Sequence, residues 1–238
     1  MANRFTIFPE SWWALMPKPF KLLSDDLKAL EAIVAAAVGE DPPPGTTFAG
    51  IANGAAWPAP WTPGQMPSGA SMTVQSEQGQ LATGSTVGNY SSADGASARY
   101  TSQVADFTAT FTFRRVGSVH VRFVARCNAQ TLDPQDGVIV NLHGTSLELT
   151  QVANYNYSSI ATTPKTWSKN VDYKVKVAMT GATVQAKSWL ATDAEPGAWD
   201  VSGTTTRTAA GHLGFWAGCD AAAASQIALF DDITITTA

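Results

Sequence analysis

From residue 107 onward the chain alternates apolar and polar residues in short runs. Phe107, Ala109, Phe111 and Phe113 interleave with Thr108, Thr110, Thr112 and Arg114; Val119, Val121, Phe123 and Ala125 interleave with His120, Arg122 and Arg126. Tyr173, Val175, Val177 and Met179 do the same with Lys174 and Lys176. Successive side chains of a strand point to opposite faces, so each run predicts a half-buried antiparallel strand. The same reading puts strands near 71–76, 79–83, 98–103, 106–114, 117–126, 137–142, 145–153, 171–179, 183–190, 211–218 and 226–236. Turn residues such as Asp94-Gly95, Gly117, Asp136-Gly137, Gly144, Gly181 and Gly211 separate them. No internal repeat is visible. The expected fold class is mainly β, an antiparallel two-sheet sandwich over residues 71–238 with a short N-terminal α-helical element.

That element lies in residues 1–41. Ser24-Asp25-Asp26 suits a helix start, with a capping hydroxyl and acids that complement the helix dipole, and Gly39 suits its stop. Leu23, Leu27, Leu30, Val34 and Ala37 form a heptad-like stripe. A helix this short needs a partner surface, and Phe5, Phe8, Trp12, Trp13 and Phe20 are costly to leave in water. The segment either packs on its own β domain or serves as an assembly and attachment element, with Phe5, Phe8, Trp12, Trp13, Leu23, Leu27, Leu30 and Val34 as the assembly residues. Residues 42–70, rich in Pro, Gly and Ala, read as a linker. Within it, Trp57 and Trp61 are expected to clamp the segment onto the domain rather than to form a ligand platform.

Residues 173–235 carry a further pattern. Two alternating runs flank Thr180-Gly181, and a loop Ala194-Glu195-Pro196 leading to Trp199 follows. A Gly211-His212-Leu213-Gly214-Phe215-Trp216 strand and a final Phe230-Asp231-Asp232-Ile233-Thr234-Ile235 strand close the series. This series resembles the C-terminal half of concanavalin A-like jelly rolls (laminin G-type or lectin/glucanase sandwiches), as found in secreted proteins of high-GC Gram-positive bacteria and in tail proteins of their phages. The resemblance covers roughly residues 71–238 and implies that the two-sheet sandwich is a jelly roll. It implies carbohydrate binding or a structural role. It implies that Trp189, Trp199 and Trp216 are core residues and Glu195 a structural one. It also implies a structural calcium ion as the candidate cofactor, with Asp231 and Asp232 as ligands; no other cofactor is expected.

Charge narrows the partners. Charged residues make up 14% of the 238 and the net charge is −4, so no basic field attracts nucleic acid. No apolar run approaches the ~20 residues of a membrane span, and Arg4, Glu10 and Lys18 interrupt what would be a signal peptide. Two cysteines, Cys127 and Cys219, are too few for a zinc site; they read either as two buried thiols or as one disulfide.

Glycan cleavage needs paired carboxylates about 5–10 Å apart. The glucanases of this superfamily place theirs on one strand, and no such run occurs here. Glu148 stands alone on its strand, while Asp133 and Asp136 flank a turn. His120, His143 and His212 fall on three separate elements, with no Gly-x-Ser-x-Gly elbow to anchor a triad. Sugar recognition instead needs aromatic faces beside amide and hydroxyl groups, and the densest such cluster is Asn141, His143, Asn154, Tyr155, Asn156, Tyr157 and Trp167. The expectation is a non-enzymatic phage virion protein, a minor tail or tail-tip component. It would join other virion proteins through its N-terminal segment, form a homo-oligomer (a trimer foremost) and contact host cell-wall glycan. A purely structural decoration protein and a glycan hydrolase are the alternatives.

Overall fold

The computed structural model describes residues 45–84, 95–133, 136–219 and 226–237. The expected helix and the eight assembly residues lie outside this set.

The strands are β1 (Gly45–Thr46), β2 (Trp61–Pro63), β3 (Ser71–Gln75), β4 (Gln78–Ala82), β5 (Ala96–Tyr100), β6 (Phe107–Val116), β7 (Val119–Cys127) and β8 (Gly137–His143). They continue with β9 (Ser146–Ala153), β10 (Asn156–Pro164), β11 (Asp172–Thr180), β12 (Thr183–Leu190), β13 (Val201–Thr204), β14 (His212–Cys219) and β15 (Ile227–Thr237). One sheet runs β13-β12-β11-β6-β15-β4-β3, with β1 added beside β15; the other runs β10-β9-β8-β7-β14-β5-β2. Strands distant in sequence become neighbours, as β6 does between β11 and β15, and that crossing-over makes the sandwich a jelly roll.

The alternation does what period-two patterning dictates. Phe107, Ala109, Phe111 and Phe113 of β6 face Val119, Val121, Phe123 and Ala125 of β7 in one core. Aromatic rings fill its centre: Phe215 lies 4.4 Å from Phe230, 4.8 Å from Phe111 and 5.3 Å from Trp61, centroid to centroid.

The stretch read as a linker is packed from residue 45 on. Phe48, Trp57 and Trp61 enter the main core; β1 pairs with β15 and β2 with β5. Trp57 donates its indole N–H to the Thr73 carbonyl at 2.9 Å, and Trp61 donates to Thr46 Oγ1 at 2.8 Å. The Pro/Gly composition hid this because the segment holds its place through three large rings rather than through a long strand. The expected clamp role of Trp57 and Trp61 holds, and the clamp is part of the core.

Two further strands lack a sequence signal. β10 is an edge strand with little buried surface, so it shows no alternation. β13 is only four residues long.

The register also answers the cysteine question. Cys127 pairs with His212 and Cys219 with Val119, at opposite ends of the β7–β14 ladder. At ~3.3 Å per residue they stand over 20 Å apart, whereas a disulfide needs Cα atoms within about 7 Å. Cys127 is a free, buried thiol.

Candidate functional site on the outer face of the second sheet

Cross-strand register builds the site row by row. Side chains that alternate with the core residues point outward, and the pairing puts Trp216, Arg122, Asn141, Glu148 and Thr162 in one transverse line across β14, β7, β8, β9 and β10. The next row holds Val124, Ile139, Thr150 and Ser159. In the row after that, Val152 lies opposite Tyr157.

This face is divided in two. Over β7 and β14, residues 128–133 cover a small outer cluster of Val124, Cys127, Leu132 and Trp216. Gly95 and Gly218 make room for the Trp216 ring, since a Cβ on either would sit within 2.1 Å of it. The Arg122 guanidinium lies 4.5 Å above the same ring. Burial pushes the Cys127 thiol up to about 11.

Over β8, β9 and β10 the face is open. Here a cavity of about 380 Å³ is lined by Arg122, Asn141, Glu148, Thr150, Tyr157 and Ser159, with Ile139 as its apolar wall. Asn141, nearly buried, donates its amide N–H to Thr150 Oγ1 at 3.1 Å and to Glu148 Oε2 at 3.4 Å. That network fixes the amide's orientation. Tyr157 is half exposed; its phenol ionises above its ordinary range, raised by partial burial against the opposing pull of Arg122.

The hairpin that presents Tyr157 turns at Asn154 and Tyr155, both with positive φ (49° and 62°), the two-residue geometry that matches strand twist. Asp136 pins this turn by accepting the Asn154 N–H at 3.2 Å and pairing with Arg207 at 2.9 Å. Asn156 donates back to the carbonyls of Ala153 and Asn154.

Of the seven sequence-derived ligand residues, the structure brings Asn141 and Tyr157 into the cavity. Asn154, Tyr155 and Asn156 form the adjoining turn, with Tyr155 exposed. His143 ends β8. Trp167 is corrected: it is buried against Phe113 and Tyr173, with its indole N–H on the Ser146 carbonyl at 2.8 Å. Arg122, Glu148, Thr150 and Ser159 were missed as a group, because only the register of four strands brings them together.

One other expectation changes: Trp199 is half-buried outside the core, 5.0 Å from the Lys187 ammonium. Trp189 and Trp216 are buried as expected, Trp216 in the outer cluster. Glu195 does play a structural part, pairing with Lys176 at 2.9 Å and Lys187 at 2.7 Å. These cations hold its carboxyl below the usual range.

Asp231 and Asp232 are the expected calcium ligands. They sit at a bulge of β15, where Asp231 accepts the Asp232 N–H at 2.9 Å. Burial, more than the neighbouring Asp232 charge, pushes Asp231 up. Among the described residues no three of His, Cys, Asp and Glu gather as metal ligands; calcium also takes backbone and amide oxygens.

Comparison with known proteins bears on the fold. No family profile and no curated protein matches the sequence. Solved structures do match in shape. A carbohydrate-binding module, CBM66 from Bacillus subtilis, superposes with a TM-score of 0.54 at 15% identity, over 74% of this chain and 95% of its own. The fold is the concanavalin A-like jelly roll. The Bacillus licheniformis beta-glucanase matches it at a TM-score of 0.55 and 9% identity, over 82% of this chain and 97% of its own. The VIP36 exoplasmic/lumenal domain in a Ca2+/Man-bound form does so at 0.51 and 10%, over 75% and 83%. This concanavalin A-like fold thus hosts both carbohydrate binders and glycan-cleaving enzymes.

Proposed function

We propose that the chain is a phage virion protein, a minor tail or tail-tip component, whose jelly roll binds host cell-surface carbohydrate without catalysis. The observation that carries the reading is the open cavity of Arg122, Asn141, Glu148, Thr150, Tyr157 and Ser159. It offers charged and neutral hydrogen-bonding groups beside an aromatic ring, the chemistry that matches sugar hydroxyls and their C–H faces. The carbohydrate-binding neighbours support it. Around Glu148 the outward positions hold Asn141, Thr150 and Thr162, none of them an acid, which favours binding over cleavage. Attachment to other virion proteins and a trimeric assembly belong in this reading to residues 1–41, whose aromatic and heptad-like sequence suits them. Presentation in several copies would raise avidity.

The test is saturable binding of the full chain to cell walls of high-GC Gram-positive bacteria, competed by soluble wall polysaccharide and weakened about tenfold or more by Asn141→Ala or Tyr157→Ala. Folded protein that binds no wall or polysaccharide refutes the lectin role. Absence of the protein from purified particles refutes the virion role.

A hydrolase is the second reading, favoured by a carboxylate, Glu148, inside the cavity and by the glucanase-like fold. Release of reducing ends that disappears in Glu148→Gln would establish it.

A further inference from the structure

One residue of β10 borders two cavities. Ser159 also lines a second cleft, of about 630 Å³, between the edges of the two sheets. On one side stand Gln151, Ser158 and Ile160; on the other, Ala182 and Gly203 to Thr206. β10 and β13 are the end strands of their sheets, so the cleft is where the sandwich opens laterally.

Its chemistry is uncharged and rich in hydroxyls. Among the described residues no lysine, arginine or acid lines it. The Gln151 Oε1 is saturated, accepting from Thr205 Oγ1 at 2.7 Å, Thr206 N–H at 2.8 Å and Thr206 Oγ1 at 3.2 Å. A carboxamide held in this way keeps a fixed orientation, and its two N–H donors are what it has left to offer. The floor is apolar: Ile160, at the bulge of β10, lies across Gly203, where a Cβ would come within 2.3 Å of its Cγ2. An apolar floor inside a rim of hydroxyls and an amide suits the C–H face and the hydroxyls of a neutral sugar. A peptide added as a strand is a poorer occupant, because the β10 edge is broken by its bulge and β13 is short.

We propose that this edge cleft is a second glycan subsite, continuous with the face cavity through Ser159, so that the protein grips a neutral glycan along several sugars rather than one terminal residue. The inference rests on the carbohydrate-binding reading above and extends its site.

The experiment is calorimetric titration of the full chain with gluco-, xylo- and manno-oligosaccharides of one to six sugars. Two variants fill the cleft from exposed positions, Ala182→Trp and Thr204→Trp, and a third, Tyr157→Ala, alters the face. In the unsubstituted chain affinity rises by about tenfold from short to long ligands. Both cleft variants abolish that rise while keeping the affinity for the short ones, whereas Tyr157→Ala weakens all lengths. Equal affinity for short and long ligands, or cleft variants that still bind long ligands better, overturns the second subsite and leaves the face site standing. No binding of any length by any form overturns both. A melting temperature for each variant separates a filled cleft from a misfolded chain.

Discussion

Replacing Trp57 by Ala tests whether residues 45–70 are a neck or part of the domain. The indole is almost fully buried and packs edge-on against Phe48 at 5.0 Å and against Trp61 and Phe230 at 5.8 Å. Removing so large a ring from a core costs about 3–5 kcal/mol, because the surroundings collapse only in part. The Thr73 carbonyl would also lose its indole donor, which puts the upper half of that range in reach. For a domain of this size each kcal/mol shifts the midpoint by about 2–4 °C, so melting falls by roughly 6–20 °C. Circular dichroism of full-length protein during heating and urea titration reads this out, with Trp199→Ala as the control. Trp199 is half-buried over Lys187, and its loss costs about 1 kcal/mol or less. A Trp57→Ala shift of under about 2 °C, or one no larger than the control's, would show that the aromatic segment lies loosely on the sandwich, and the corrected boundary would be wrong.

Three further outcomes follow from the same geometry. Arg126→Leu should destabilise by about 3 kcal/mol in urea unfolding, with Arg126→Lys barely better. The buried guanidinium bonds at once to the carbonyls of Ala105, Gly181 and Arg207 and to Asp106, which a single ammonium cannot reproduce. Thiol titration should find both cysteines free in denaturant and Cys127 unreactive in the native protein, while mass spectrometry that detects an intramolecular Cys127–Cys219 bond would contradict the register. Gly218→Ala should lower stability by about 1–3 kcal/mol and change the fluorescence of Trp216, whose ring occupies the space a Cβ would need; an unaltered melting curve would speak against the outer cluster.

Most of the sandwich was legible because its central strands bury one face and wet the other. The run from Phe107 to Arg114 announces both its strand and its inward residues through alternation alone. β10 was not legible for the complementary reason: residues 156–164 bury little on either side, so Asn-Tyr-Asn-Tyr-Ser-Ser read as a loop. The site was half visible. Local composition pointed to Asn141 and Tyr157, which do share a cavity, but it also drew in Trp167, whose proximity in sequence to a recognition loop says nothing about which way its ring turns. Arg122 and Glu148 had no local signal at all. They are 26 residues apart and meet only because β8 lies between β7 and β9 in a fixed register.

The Cys127 thiol gives the outer cluster a pH signature whose sign follows from its burial. In the folded chain the thiol is raised from an ordinary value of 9.0 to about 11 by desolvation under residues 128–133. Between those values the unfolded chain has already released the proton and the folded chain still holds it. Unfolding therefore releases a proton, and rising pH favours it. The stabilisation is complete below about pH 9 and is lost progressively up to about pH 11. Two pH units of difference correspond to at most about 2–3 kcal/mol. Cys127→Ala removes the titrating group, so urea midpoints of the variant and the parent should converge as pH climbs from 8 to 11, beyond any slope they share from lysine and tyrosine ionisation. Parallel curves would mean that water reaches the sulfur. The segment over Trp216 would then be an open loop, and the boundary between the closed and open halves of the sheet's outer face would have to be redrawn.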